Sequence, residues 1–232
     1  MSNDRQPLGR PASTAHLAGE LAADDFGRAM GEPAQARDVA RWRKAERARL
    51  RSERLSLSLE ARHAISNALN SHLRKLLDER FDGANGQVFS AYWPIKGEPN
   101  LHSLMADLDA LGVRVALPVV ETKAAPLVFR RWTHGMPMAR GDWNIPVPPP
   151  DAEALIPDIM LAPLVGWDAE GYRLGYGGGY FDRTLASLDP RPFTIGIGFQ
   201  SARIPTIFPQ PHDIALDLIL TEAGVQVLRA RP

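Results

Sequence analysis

The stretch Arg173-Leu174-Gly175-Tyr176-Gly177-Gly178-Gly179-Tyr180-Phe181-Asp182-Arg183 constrains this chain more than any other, because it sets four glycines, two arginines and a carboxylate between an apolar run and a helical pattern. The run before it, Ile159 to Val165, is nearly continuous in apolar residues, as expected of a strand buried on both faces. After it, Tyr180, Phe181, Thr184, Leu185 and Leu188 recur at helical spacing, so a helix is predicted to begin near Gly179 or Tyr180. Strand, glycine-rich loop and helix in that order place the loop at the carboxyl end of a central strand, where a three-layer sheet binds nucleotides. Glycine tolerates positive φ and close approach, so Gly175 to Gly179 can turn successive N–H groups toward one anion, and the helix dipole adds to the attraction. Arg173 and Arg183 offer paired donors, and Asp182 can hold a divalent cation against the same phosphates. The spacing matches neither Gly-x-x-x-x-Gly-Lys-Ser/Thr nor Gly-x-Gly-x-x-Gly, and for the glycines alone a plain tight loop is the competing reading.

The rest of the chain can be read as what is brought to that loop. Residues 1–38 are rich in Pro, Ala, Gly, Ser and Asp without a sustained apolar period, and are expected to be a disordered extension, with a short helix conceivable over Ala15–Met30. From Val39 to Arg80 the pattern is helical, and Ser58 is a suitable N-cap for a second helix. Arg41, Arg43, Lys44, Arg47, Arg49, Arg51 and Arg54 face only Glu46 and Glu53 in the first of these helices. That excess is either a solvated face or an anion site, in which Arg43 and Arg47, four apart, share one side. Gln87 to Trp93 reads as a buried strand that ends before the loop Lys96-Gly97-Glu98-Pro99. A helix over Leu101–Leu111, closed by Gly112, and a strand over Arg114–Val120 complete a βαβ unit with parallel pairing. Leu127–Thr133 is a further short strand. Gly141–Pro148 is an extended, proline-fixed segment whose Trp143 serves packing or stacking on a flat heterocycle, and Asp151–Pro157 is a linker. Phe193–Phe199 and Leu216–Val227 supply the last strand elements. His212-Asp213 taken alone is a loop or capping pair, since the clustered ligands of a metal site are missing.

Composition excludes several classes. None of the 232 residues is cysteine, which removes disulfides, thiolate metal sites and a cysteine nucleophile. No stretch approaches the roughly 18 apolar residues of a membrane span, and Asp4, Glu20, Asp24 and Asp25 are unlike an acid-poor transit peptide, so a cytoplasmic protein without a membrane partner is expected. The 27 basic residues are balanced by 27 acidic ones, which argues against a nucleic-acid partner.

Arg173-Leu-Gly-x-Gly-x-Gly-Tyr-Phe-Asp182 closely resembles the signature of the 5-formyltetrahydrofolate cyclo-ligase family. The resemblance runs from about Val39 to the C-terminus, through the basic helix, Tyr-Trp-Pro-x-x-Gly-Glu98, Trp143-Asn-Ile-Pro, the glycine loop and His212-Asp213. It implies a single three-layer α/β domain over residues 39–232, with a central, mainly parallel sheet flanked by helices. It also implies a monomeric enzyme that uses MgATP to convert 5-formyltetrahydrofolate into 5,10-methenyltetrahydrofolate, ADP and phosphate through a phosphorylated formyl group. By that resemblance Arg43, Lys44, Arg47 and the run Arg173, Leu174, Gly175, Tyr176, Gly177, Gly178, Gly179, Tyr180 and Phe181 bind ATP. Trp93, Glu98, Trp143, Tyr176, Gly178 and Tyr180 meet the folate, Arg173 and Asp182 are catalytic, and Asp182 with Asp213 holds Mg2+. Arg114, Arg130 and Arg131 are candidates for the extra carboxylates of a polyglutamylated folate. Three departures from the family pattern are Glu46, where leucine is usual, Phe181, where many members have a second tyrosine, and Gly178, where some have lysine. A non-catalytic protein that sequesters 5-formyltetrahydrofolate is the alternative reading, and a nucleic-acid module built on the basic helix is a weaker one.

Overall fold

The computed structural model describes residues 33–231, so the disordered extension and short helix expected N-terminal of Pro33 lie outside the described residues. Its helices are α1 (Pro33–Ser56), α2 (Leu59–Phe81), α3 (His102–Ala110) and α4 (Tyr180–Ser187). Its strands are β1 (Val88–Ser90), β2 (Arg114–Val119), β3 (Val128–Arg131), β4 (Ala139–Arg140), β5 (Pro146–Val147), β6 (Ala154–Leu155), β7 (Ile159–Pro163), β8 (Gly166–Trp167), β9 (Arg173–Leu174), β10 (Phe193–Ile197), β11 (Leu218–Thr221) and β12 (Gly224–Leu228).

Eight strands form one sheet in the order β12-β11-β10-β7-β1-β2-β3-β6. The middle of it, from β11 to β2, is parallel throughout, and antiparallel strands close both edges. Both faces of the parallel part are covered, which is why β7 shows no polar alternation. Phe89, Val115, Leu117, Ile159, Leu161, Ile195 and Leu218 pack with Leu69, Leu73 and Leu77 of α2 and Leu104 and Met105 of α3. The alternate residues Val88, Ala116, Met160, Ala162 and Ile219 pack on the opposite face with Leu50 of α1 and Leu185 of α4. Period-two alternation thus divides the core into two layers around the sheet, giving the expected three-layer α/β fold.

Ser58 caps α2 as expected, accepting the Ala61 N–H at 3.1 Å. Several boundaries differ from the sequence reading. The first helix begins at Pro33 instead of Val39, because nothing in Ala34–Asp38 breaks a helix, although all five residues are exposed. The segment read as a linker over Asp151–Pro157 contains β6, a two-residue edge strand beside β3. Gly141–Pro148 is not simply extended. Trp143 and Asn144 adopt left-handed backbone (φ 55° and 61°) in a tight turn joining β4 to β5, a conformation that apolar patterning does not encode.

The strand order places the site. From β1 the chain moves to β2 on one side, then returns to β7 on the other, so a crevice opens beyond the carboxyl ends of β1 and β7, where α/β sheets bind ligands.

Candidate active site

A cleft of about 440 Å³ occupies that crevice. One wall comes from the segment after β1 (Trp93, Ile95, Lys96, Glu98), another from Arg43, Arg47 and Arg51 of α1, and a third from Arg173 and the glycine loop through Asp182. Trp143, Ile145 and Pro146, at the β4–β5 turn, and His212 and Asp213 complete the lining. The sheet itself supplies Leu117, Pro118 and Pro163 as an apolar floor.

At the glycine-loop end, charge is held by long-range pairs. Arg43 is buried and uses its whole guanidinium: Nε donates to the Ile207 carbonyl at 2.9 Å, Nη2 to Phe208 O at 2.8 Å, and Nη1 and Nη2 to the two oxygens of Asp213 at 3.2 and 2.5 Å. Arg173, equally buried, donates to Ile214 O at 2.9 Å and pairs with Asp182 Oδ1 at 2.9 Å. Burial lowers its pKa, with Asp182 and Asp213 opposing that shift. The Ile214 N–H also donates to Asp182 Oδ1, at 3.0 Å. Arg47 donates through Nε to the Gly175 carbonyl at 2.7 Å. Burial and then the neighbouring Arg43 lower its pKa, while Asp213 acts against them.

The loop takes its course because of its glycines. Gly177 (φ 96°) and Gly179 (φ 64°) lie in the left-handed region, and a Cβ on Gly178 would meet the Tyr180 ring at 2.8 Å. Gly179 caps α4, whose first N–H groups have no intrahelical acceptor and whose dipole favours an anion there. Arg183 lies over the Tyr180 ring, 5.2 Å from its centroid, and donates to the Gly178 carbonyl. Trp143, 68% exposed, meets Tyr180 edge-on at 5.9 Å between ring centroids.

At the other end Glu98 is buried. It accepts the Ile95 N–H on Oε2 at 2.9 Å and the Tyr176 hydroxyl on Oε1 at 2.8 Å. Burial pushes its carboxyl pKa up, against the hydrogen bonds from Ile95 and Tyr176 and the charges of Arg54 and Lys96. Arg54, also buried, donates to the Tyr176 hydroxyl at 2.6 Å. Beside Glu98, Trp93 lies 4.2 Å from the His102 ring.

The structure brings Arg43, Arg47, Trp93, Glu98, Trp143, Arg173, Gly175 to Asp182 and Asp213 into one cleft. Two residues are placed elsewhere. Lys44 is exposed on α1 one position out of phase with Arg43 and does not line the cleft, and Leu174 is wholly buried in the core beneath the loop. Arg114, Arg130 and Arg131 are likewise outside it, in ion pairs with Glu153, Glu121 and Asp109. Arg51, Arg54 and Lys96 are the cations that the sequence reading did not assign to the site. The spacing Arg43, Arg47, Arg51 carried the signal for the first, but nothing local marked the other two.

For a divalent cation the donor set is suitable but small. The contacts of Asp182 described above fall on Oδ1, whereas Asp213 uses both oxygens, Oδ2 also accepting the Gln210 N–H at 2.6 Å. Among the described residues no three His, Asp or Glu side chains gather as a metal cluster. One or two carboxylates completed by phosphate oxygens and water is the manner in which Mg2+ binds with a nucleotide, so these residues fit that ion better than a protein-only cage would.

The 5-formyltetrahydrofolate cyclo-ligase family model matches residues 39–222, well over half of the chain. The chain is 30% identical over 192 residues to the 5-formyltetrahydrofolate cyclo-ligase of Mycolicibacterium smegmatis, covering 78% of this chain and 98% of that protein. To the protein of the same name from Haemophilus influenzae it is 28% identical over 181 residues, covering 75% and 94%. The NMR structure of Aquifex aeolicus 5,10-methenyltetrahydrofolate synthetase superposes with a TM-score of 0.68 at 27% identity, covering 82% of this chain and 94% of that one.

Proposed function

We propose that this chain, which belongs to the 5-formyltetrahydrofolate cyclo-ligase family, uses ATP and Mg2+ to cyclise 5-formyltetrahydrofolate to 5,10-methenyltetrahydrofolate, releasing ADP and phosphate. The observation that carries this reading is the meeting of two unlike subsites in one cleft. A glycine loop, helix N-terminus and arginines suit a polyphosphate, while an apolar floor with Trp93, Trp143 and buried Glu98 suits a flat heterocycle bearing N–H donors.

The formamide oxygen of the substrate is a poor leaving group. In the proposed reaction that oxygen attacks the γ-phosphorus of ATP and ADP departs. N10 then attacks the activated carbon, the C–O bond breaks and phosphate leaves with the former formyl oxygen, while the N10 proton is lost. Such a reaction needs positioning and charge stabilisation more than a protein nucleophile. Arg47 and the amides around Gly177–Tyr180 receive the phosphates, and Arg173, fixed by Asp182, faces the developing charge. Arg43 acts indirectly, because its donors are already engaged: it holds Asp213 and the segment Ile207–Phe208 in place. Mg2+, held by Asp182 and, where Arg43 shares its carboxylate, by Asp213, would neutralise phosphate charge. Glu98 recognises the pterin, and Trp143 covers it opposite Tyr180. A monomer is proposed as the working unit.

Mixing the protein with 5-formyltetrahydrofolate and MgATP is expected to raise methenyltetrahydrofolate absorbance, with no rise when ATP or Mg2+ is omitted. Asp182→Ala should reduce the rate about a hundredfold or more, since it releases Arg173 and removes a cation ligand. Calorimetric binding of both ligands without any absorbance change would instead establish the sequestering protein.

A further inference from the structure

At the Glu98 end of the cleft a carboxylate, a phenol and a guanidinium are joined in series. The Tyr176 hydroxyl donates to Glu98 Oε1 at 2.8 Å and accepts from Arg54 Nη2 at 2.6 Å. Tyr176 stands between the first two glycines of the loop, so the side chain that covers Glu98 also fixes where the loop runs. Two more bonds hold that course, from Arg47 Nε to the Gly175 carbonyl at 2.7 Å and from Arg183 to the Gly178 carbonyl. Both turn loop carbonyls toward guanidinium groups. A phosphate-cradling loop does the opposite, turning N–H groups to the anion and leaving the arginines to bind it. In this course the Nε of Arg47 is occupied by a carbonyl of the protein, which holds its guanidinium against the loop.

Resting on the reading of Glu98 as the folate-recognising carboxylate, we infer that Tyr176 is a latch between the two subsites: it occupies Glu98 until folate takes that carboxylate, and its displacement frees the glycine loop and Arg47, so that folate binding strengthens ATP binding. Tyr176 is therefore a positioning residue that acts through Glu98 and Arg47. The loop has the means to move. A Cβ on Gly175 would meet no heavy atom within 4 Å, and Gly177 already sits at φ 96°. In the latched position the phenol ring lies among three cations, with Arg51, Arg54 and Lys96 at 5.7, 5.9 and 5.5 Å from its centroid, so folate has to compete with these contacts as well as with the hydroxyl.

Calorimetry on the full chain tests the latch, with 5-formyltetrahydrofolate and the Mg2+ complex of a non-hydrolysable β,γ-imido ATP, each titrated alone and in the presence of the other. In the wild type each ligand should tighten the other by the same factor, about five- to tenfold, because coupling between sites is reciprocal. Tyr176→Phe keeps the ring and removes the hydroxyl. It should bind folate alone about fivefold more tightly, as a competing hydrogen bond to a carboxylate is gone, and its coupling factor should fall to near one. In turnover it should lower KM for folate, a change that general loosening of the loop would not produce. Weaker folate binding by Tyr176→Phe, or coupling that persists in it, overturns the latch. Independent binding of the two ligands by the wild type overturns it too, and leaves the ligase reading intact if methenyltetrahydrofolate still forms. A wild type that binds no folate overturns both.

Discussion

The two ends of the cleft treat buried charge differently. At one end Arg43 meets Asp213 directly through two nitrogens and two oxygens, and its remaining donor capacity goes to backbone carbonyls. At the other end Arg54 and Glu98 share no direct bond, because the Tyr176 hydroxyl lies between them. The first end is saturated and fixes the position of the His212-Asp213 segment. The second keeps a carboxylate incompletely compensated, so that its charge is available to a ligand at some expense of stability. The two ends should therefore respond oppositely to substitution.

The largest effect is expected at the saturated end. Arg43→Ala leaves the Asp213 carboxylate buried without its partner and should destabilise the fold by about 3–5 kcal/mol in denaturant titrations. A loss below about 1 kcal/mol would show that water compensates Asp213 and would dissolve the contrast. At the other end the sign reverses. Burial raises the Glu98 pKa, so the folded state holds that proton more tightly than the unfolded chain does, and the associated stability is full below the ordinary glutamate value and lost as pH rises through the raised one. Glu98→Gln removes this titration. The variant should therefore melt above the wild type at about pH 8, lose that advantage by about pH 4, and bind folate poorly. Lower melting of the variant at the higher pH would mean that Glu98 supports the fold instead of opposing it. The smallest effect is expected outside the cleft, where Arg49 pairs with Glu46 and Glu53 on the exposed side of α1. Arg49→Ala should change stability by no more than about 0.5 kcal/mol and leave turnover unaltered, which calibrates the other two.

The same exposed pairs bear on the nucleic-acid alternative. Arg41 and Arg49 are matched by Asp38, Glu46 and Glu53, and Arg43, Arg47 and Arg54 face inward, so α1 presents no uninterrupted basic stripe to solvent.

Local chemistry made much of this legible in the sequence. The apolar run Ile159–Val165, the glycines after Arg173 and the helical spacing after Tyr180 located a strand, loop and helix that the structure contains in that order. Glu98 by itself reads as one more surface acid, and only the resemblance of Tyr-Trp-Pro-x-x-Gly-Glu98 to the family pattern marks it. What stayed hidden depended on partners distant in the chain or on helix phase. Within α1 Leu50 is buried while Leu55 is exposed, too weak an apolar pattern to orient a helix so rich in arginine, so the sequence groups Lys44 with Arg43 although Lys44 projects to solvent. Arg54 looked like one more surface cation until the fold set it beneath Tyr176. The turn at Trp143 relies on two left-handed residues that are neither of them glycine, and β6 is too short to leave a periodic trace.

The bond from Arg43 to Asp213 joins positions 170 apart in sequence, and so it ties the order in which the protein matures to the order in which it is made. Contacts of such separation form late, after the loop-closure entropy of the intervening chain has been met by other structure. On the ribosome the strands β1, β2 and β7 can emerge and begin to pair while Asp213 is still unsynthesised, and α1 must wait with its arginine unmatched. The Arg43–Asp213 end of the cleft is consequently among the last parts to be completed, and a nascent or truncated chain lacking the final strands would hold most of the sheet with the cleft unfinished.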